Sequence, residues 1–155
     1  MMKIIQADTA SRVADAKALF LEYARSLDFD LCFQHFDREM DNFPGEYTPP
    51  DGALLLAVLK DDAIGCVGLR PIEGGICEMK RLYVREQARG LTAGYKLVKA
   101  IIDKAIQLGY TAIRLDTLPS MQQANRLYQA FGFKKIPPYR HNPIKGAIYL
   151  ELKLH

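Results

Sequence analysis

The chain is predicted to fold as a single α/β (α+β) domain, a mixed and mostly antiparallel sheet with helices on both faces. Three observations predict this. Segments of strand and helix character alternate along all 155 residues in the order β-α-α-β-β-β-α-β-α-β-β, which gives about seven strands. The length suits one core, and no repeat, low-complexity stretch or linker divides residues 1–155. The composition, 49% hydrophobic and 25% charged, is that of a globular protein.

The elements follow in order. Residues 3–7 are a short apolar run, the first strand. Asp8 or Thr9 can cap a helix whose apolar face is Ala10, Val13, Ala16, Leu19, Phe20, Tyr23 and Leu27. A shorter helix around residues 35–40 carries Phe36 and Met40, with Phe33 just before it. Residues 43–52, F-P-G-E-Y-T-P-P-D-G, are a loop by their prolines and glycines. Residues 53–60 read as a buried strand, 61–62 as a tight turn and 63–70 as the hairpin partner. A glycine turn at 73–75 leads to the strand 78–84. The long helix 92–108 has Ala93, Leu97, Val98, Ile101, Ile102 and Ala105 at helical spacing, Thr92 where an N-cap is wanted, and Gly109 as its stop. A strand at 111–117, a helix at 121–131, a strand at 133–136, a proline-punctuated loop at 137–146 and an alternating strand at 147–154 complete the chain.

Bulk properties exclude several classes. A net charge of +3 without a basic, aromatic-interleaved stripe argues against nucleic acid. Cys32, Cys66 and Cys77 form no C-x-x-C, which points to reduced thiols and a cytoplasmic setting. His35, His141 and His155 are scattered, so no metal is expected. The start M-M-K-I-I-Q turns polar too soon for a signal peptide, and the apolar run 53–59 is too short to span a membrane, so no membrane partner is expected.

Residues 78–97, E-M-K-R-L-Y-V-R-E-Q-A-R-G-L-T-A-G-Y-K-L, organise the rest. A strand runs through a tight turn into a helix start. Such a turn points free backbone N–H groups at one place, and the helix dipole makes that place favour anions. Arg89 adds a cation. No Gly-Lys-Ser/Thr closes the turn as in a P-loop, and Gly90 and Gly94 lack the dinucleotide spacing. The residues alone therefore say phosphate and no more.

Two motifs carry a resemblance. The pattern Arg/Gln-x-x-Gly-x-Gly/Ala after a strand matches residues 89–94, R-G-L-T-A-G. An Asn followed three residues later by Tyr, then a helix end at Gly-Phe, matches N-R-L-Y-Q-A-F-G-F from Asn125 to Phe133. Together they resemble the GNAT superfamily of acetyl-CoA-dependent N-acetyltransferases, over the whole chain and most specifically over residues 78–133, and the loop 43–52 resembles one found in a branch of uncharacterised bacterial members. The resemblance implies a V-shaped splay between the fourth and fifth strands, with acetyl-CoA as co-substrate and no metal. The pantetheine would pair with the backbone of Leu82, Tyr83 and Val84, and the diphosphate would sit on Arg89, Gly90, Leu91, Thr92, Ala93 and Gly94. Asn125 would bond the pantetheine, and Tyr128 would be the acid beside the sulfur. The Leu82 amide is the candidate oxyanion donor. The sequence departs from the pattern at Thr92, where a glycine is usual, and at Glu86 and Ala88, where proline and an aromatic residue are common.

Direct attack by an amine needs a base. Glu78 is the candidate, since it lies four residues before Leu82 on one strand and shares its face if no bulge intervenes. Each residue also has a structural reading. Tyr128 fits a core tyrosine, Asn125 a surface helix residue, Glu78 a partner of Lys80 or Arg114, and Arg89 a solvated turn. By the resemblance, the acceptor pocket would come from the early helices and the two loops, with Phe33, Tyr47, Asp116 and Tyr139 as candidates. The expected activity is acetyl transfer to a primary amine of a small molecule or peptide, with a homodimer as a family habit. The alternatives are a coenzyme-A-binding sensor or regulatory module without turnover and a non-catalytic interaction domain.

Overall fold

The computed structural model describes residues 2–31, 35–90 and 92–154. Its elements are β1 (Met2–Gln6), α1 (Ala10–Ser26), α2 (Phe36–Asp41), β2 (Ala53–Leu59), β3 (Asp62–Glu73), β4 (Ile76–Val84), α3 (Ala93–Gln107), β5 (Ala112–Thr117), α4 (Gln122–Phe131), β6 (Lys134–Lys135) and β7 (Ile148–Lys153). Two short 3₁₀ turns, Gly45–Tyr47 and Glu86–Ala88, lie in the loops.

The strands form one seven-stranded sheet in the order β1-β2-β3-β4-β5-β7-β6. Strand β2, A-L-L-L-A-V-L, is apolar throughout because both of its faces are covered. Ala53, Leu55 and Ala57 turn to a core shared with α3 and α4, and Leu54, Leu56 and Val58 turn to a second core under α1 and α2. Helix α1 starts where Thr9 accepts the Arg12 N–H at 3.2 Å, and it buries Ala16, Leu19 and Phe20. Helix α3 buries the stripe Leu97, Val98, Ile101 and Ala105. Truncating one such leucine to alanine costs about 2–5 kcal/mol.

Every neighbouring pair of strands is antiparallel except β4 and β5, which are parallel. Their ladder is short: Ile76 pairs with Ala112, Cys77 with Ile113 and Glu78 with Arg114. Past Glu78 the two strands part, which is the expected splay.

A bulge in β4 corrects one expectation. Cys66 pairs with Tyr83 but Gly68 pairs with Lys80, so β4 has one residue more than β3 between these points. Arg81 sits there at φ 61°. Before the bulge Cys77 and Met79 face the α3 core; after it Leu82 and Val84 do. Glu78 and Leu82 therefore lie on opposite faces of the sheet, not on one.

The element limits differ in small ways. β6 spans two exposed residues instead of four: the Phe133 N–H turns back to the Tyr128 carbonyl at the end of α4, and Ile136 keeps one bond to Tyr149. β4 begins at Ile76 and α4 at Gln122, each within two residues of expectation.

Candidate active site

The parting of β4 and β5 opens a cleft of about 860 Å³. Leu82, Tyr83 and Val84 line one side, Asp116, Thr117 and Leu118 the other. Arg89, Gly90, Thr92, Ala93 and Gly94 close one end, and Tyr128 also lines it. Leu91 and Phe33 lie outside the described residues.

The closed end is built by the turn between β4 and α3. Arg89 folds back so that its Nε donates to the Val84 carbonyl at 3.1 Å. Gly90 takes φ 93°, which suits glycine. Thr92 stands at the N-cap position but at φ 62°, and its side chain makes no capping hydrogen bond. A β-branched residue is strained there. The first-turn amides of α3 are therefore not capped by Thr92, and they face a region the helix dipole makes attractive to anions. Gly94 packs closely on α4: a Cβ there would stand 3.2 Å from Leu127 Cδ1, which would have to give by a few tenths of an ångström.

Tyr128 is 6% exposed, with its ring against Phe133 at 5.7 Å between centroids. Burial pushes its phenol well above the ordinary value of 10, with Tyr23 and Asp116 adding to the shift, so it stays protonated. Asn125 is not in the cleft wall. Its Oδ1 accepts from the Thr117 hydroxyl at 2.7 Å and its Nδ2 donates to the Leu118 carbonyl at 2.8 Å. The described contacts give it the task of tying α4 to the end of β5.

Glu78 is also outside the cleft. It is fully buried and takes three donors: Arg70 Nε at 3.0 Å, the Tyr139 hydroxyl at 2.6 Å and Arg140 at 2.7 Å. Arg114 is not among these donors and instead binds Glu151 at 2.8 Å. The Tyr139 ring lies between the guanidinium groups of Arg114 and Arg140, at 5.4 and 5.3 Å. Glu78 thus anchors the loop 137–146 to the sheet. Tyr47 is buried against Phe20 and donates to Glu39 at 3.1 Å, beside a separate cavity of about 500 Å³. Of the four acceptor-side candidates, Asp116 alone among the described residues lines the cleft.

Lys80 joins Asp116 there, and neither reading of the sequence had given it a place in the site. Its Nζ stands 3.8 Å from Asp116 Oδ1, and Asn142 Nδ2 donates to Asp116 Oδ2 at 3.1 Å. Burial, and then the charge of Arg81, pull the Lys80 ammonium down to about 8 against the opposing pull of Glu78 and Asp116. Arg81 is held by Glu39 at 2.9 and 3.2 Å. The available signal was two adjacent cations in an apolar strand, since buried charges are uncommon unless partnered. Cys77 is a core residue whose thiol burial pushes up to about 12, which makes it inert. Among the described residues no cluster of three His, Cys, Asp or Glu side chains could hold a metal, and no helix is long and apolar enough to cross a membrane.

The fold thus combines a seven-stranded mixed sheet, a single short parallel ladder and a cleft ending at a helix N-terminus. The sequence profile of the acetyltransferase (GNAT) family matches residues 16–133, and the chain belongs to that family. It is 46% identical over 144 residues to an uncharacterized N-acetyltransferase of Schizosaccharomyces pombe, covering 90% of this chain and 87% of that one. An uncharacterized N-acetyltransferase of Dictyostelium discoideum is 30% identical, with 99% of each chain covered. In three dimensions the fold is similar to a GNAT-family acetyltransferase from Staphylococcus aureus Mu50, with a TM-score of 0.81 at 20% identity and full coverage of both chains.

Proposed function

We propose that this protein transfers an acetyl group from acetyl-CoA to a primary amine by direct attack. The observation that carries this reading is the cleft where β4 leaves β5, closed at one end by the N-terminus of α3, which the Thr92 side chain does not cap. The residues present fit coenzyme A. The edge of β4 beyond Glu78 faces the gap, as an extended pantetheine arm requires. The turn at 89–94, with Arg89 and the amides at Ala93 and Gly94, suits a diphosphate. Asn125 supports this wall through Thr117 and Leu118 and does not itself line it.

Acetyl-CoA supplies an activated acetyl group. The chain's own residues hold and orient the reactants, and much of the rate comes from that proximity. The Leu82 amide is the donor for negative charge developing on the carbonyl oxygen. Tyr128, protonated and in the cleft wall, provides the proton for the departing sulfur. The acceptor sheds one proton to water before attack. The second, released as the N–C bond forms and the C–S bond breaks, restores Tyr128. Glu78 is not the base of this reading, because the bulge turns it away from Leu82 and three donors occupy it; its role is to hold the loop 137–146.

The test is calorimetric titration with acetyl-CoA followed by a screen of primary amines for thiol release. Saturable binding with amine-dependent thiol release is expected. Binding without release for any amine would favour a sensor of coenzyme A. Absence of binding would end the reading.

A further inference from the structure

Tyr95 is an aromatic side chain that the fold leaves open to water. Among the described residues Tyr95 and Ile106 are the large apolar side chains left exposed, at 47% and 43%. One exposed aromatic residue is ordinary by itself. Tyr95 differs from Ile106 in two respects. It lines the cleft, and its ring is stacked on Phe131 of α4, with 5.0 Å between centroids and 28° between planes. Phe131 packs against the α3 core and does not line the cleft. It covers one face of the Tyr95 ring and fixes its tilt, while much of the rest of the side chain stays open at the cleft.

The place of Tyr95 along the cleft says what it would meet. Tyr95 is the third residue of α3, one past Gly94. In the reading above the thioester lies toward Leu82 and the diphosphate on the turn at 89–94. The groups of coenzyme A follow the order thiol, pantetheine, diphosphate, ribose, adenine. The adenine therefore falls one sugar beyond the diphosphate, on the side away from Leu82, and Tyr95 begins where the turn ends. A flat base suits a flat ring whose orientation is already fixed. Aromatic rings hold bases in this way without reading their edges.

We propose that Tyr95 is the adenine-binding residue of the coenzyme site, with the base lying on the Tyr95 ring and Phe131 backing that ring from its other face. This inference rests on the acetyl-transfer reading above and extends it to the nucleotide end of the donor. No bond is made or broken there. The contact supplies binding energy remote from the thioester, which helps hold the donor in place for the chemistry. A pantetheine arm carried on a protein has no adenine to lay on Tyr95, so the site favours free acetyl-CoA as the donor.

The test measures binding and not turnover. Coenzyme A is titrated by calorimetry into the unaltered protein, Tyr95→Ala and Tyr95→Phe. The same three proteins are titrated with etheno-coenzyme A, whose fluorescent adenine dims when it stacks on an aromatic ring. The unaltered protein and Tyr95→Phe are expected to bind coenzyme A equally and to dim the etheno base. Tyr95→Ala is expected to bind coenzyme A about tenfold more weakly and to leave the bound base bright. Calorimetric binding of etheno-coenzyme A to the unaltered protein without dimming overturns the proposal, and this measurement stands without either variant. Unchanged affinity in Tyr95→Ala overturns it as well. An equal loss of affinity in Tyr95→Phe puts the contact on the hydroxyl and ends the stacking claim. If coenzyme A does not bind the unaltered protein at all, the acetyl-transfer reading falls first, and the two failures are thereby told apart.

Discussion

Arg81 sits in the left-handed region at the bulge, a conformation that costs a non-glycine residue about 1 kcal/mol or more. It persists because Glu39 binds its guanidinium at two points and the Phe36 ring lies 5.2 Å beneath it. Burial opposes ionisation of Glu39, but the hydrogen bonds and charge of Arg81 outweigh it and hold the carboxyl below its ordinary value of 4.5. The stability this pair contributes is therefore complete above that ordinary value and is lost as pH falls through the lower folded value. Glu39→Ala should destabilise the protein by about 3–5 kcal/mol, because Arg81 is left buried without its anion. Thermal melts at neutral pH should show a drop of roughly 10 °C. At Tyr128 the corresponding change is chemical. Tyr128→Phe should lower kcat by about a hundredfold while acetyl-CoA affinity, measured by calorimetry, changes little. Unaltered kcat across the pH range would remove the acid role.

At the scale of elements, β4 performs two tasks that its bulge separates. Its first half pairs with β3 and β5 and carries Glu78 into the anchor of the loop 137–146. Its second half leaves β5 and presents Leu82, Tyr83 and Val84 to the cleft. The opposite wall depends on α4, where Asn125 joins the Thr117 hydroxyl and the Leu118 carbonyl. Asn125→Ala removes both bonds. It should cost about 1–3 kcal/mol in urea unfolding and weaken acetyl-CoA binding in the same variant. Retained stability with lost binding would instead place Asn125 in direct contact with the ligand. Helix α3 approaches α4 closely at Gly94, where a Cβ would stand 3.2 Å from Leu127 Cδ1.

At the scale of the molecule, one sheet supports two cores, so the cleft between β4 and β5 lies where both meet. A ligand that fills it braces the sheet from α3 to α4. At a concentration a hundred times its dissociation constant, acetyl-CoA should stabilise the folded state by about 2.7 kcal/mol and raise Tm by about 5–10 °C in a thermal-shift measurement. No shift at that concentration would contradict binding in the cleft.

The sequence by itself determined the order of the elements, the two-faced burial of β2, the turn with Arg89 and Gly90, and the family. These rest on local physics: side-chain period, turn chemistry, and motifs that lie within a few residues of one another. It also determined that Tyr128 and Asn125 share one helix. Only the tertiary structure decided where their side chains go, because Asn125 turns to Thr117 and Leu118, which lie on another element. The same holds for Glu78 and Lys80. Whether a strand residue faces a core, a loop or a cleft depends on every residue between it and the reference, and one extra residue at Arg81 reverses the alternation. That residue is invisible to a period-of-two reading of β4, since it exists only relative to the pairing with β3. The meeting of Lys80 with Asp116 depends, in turn, on two strands lying parallel for three residues and then parting.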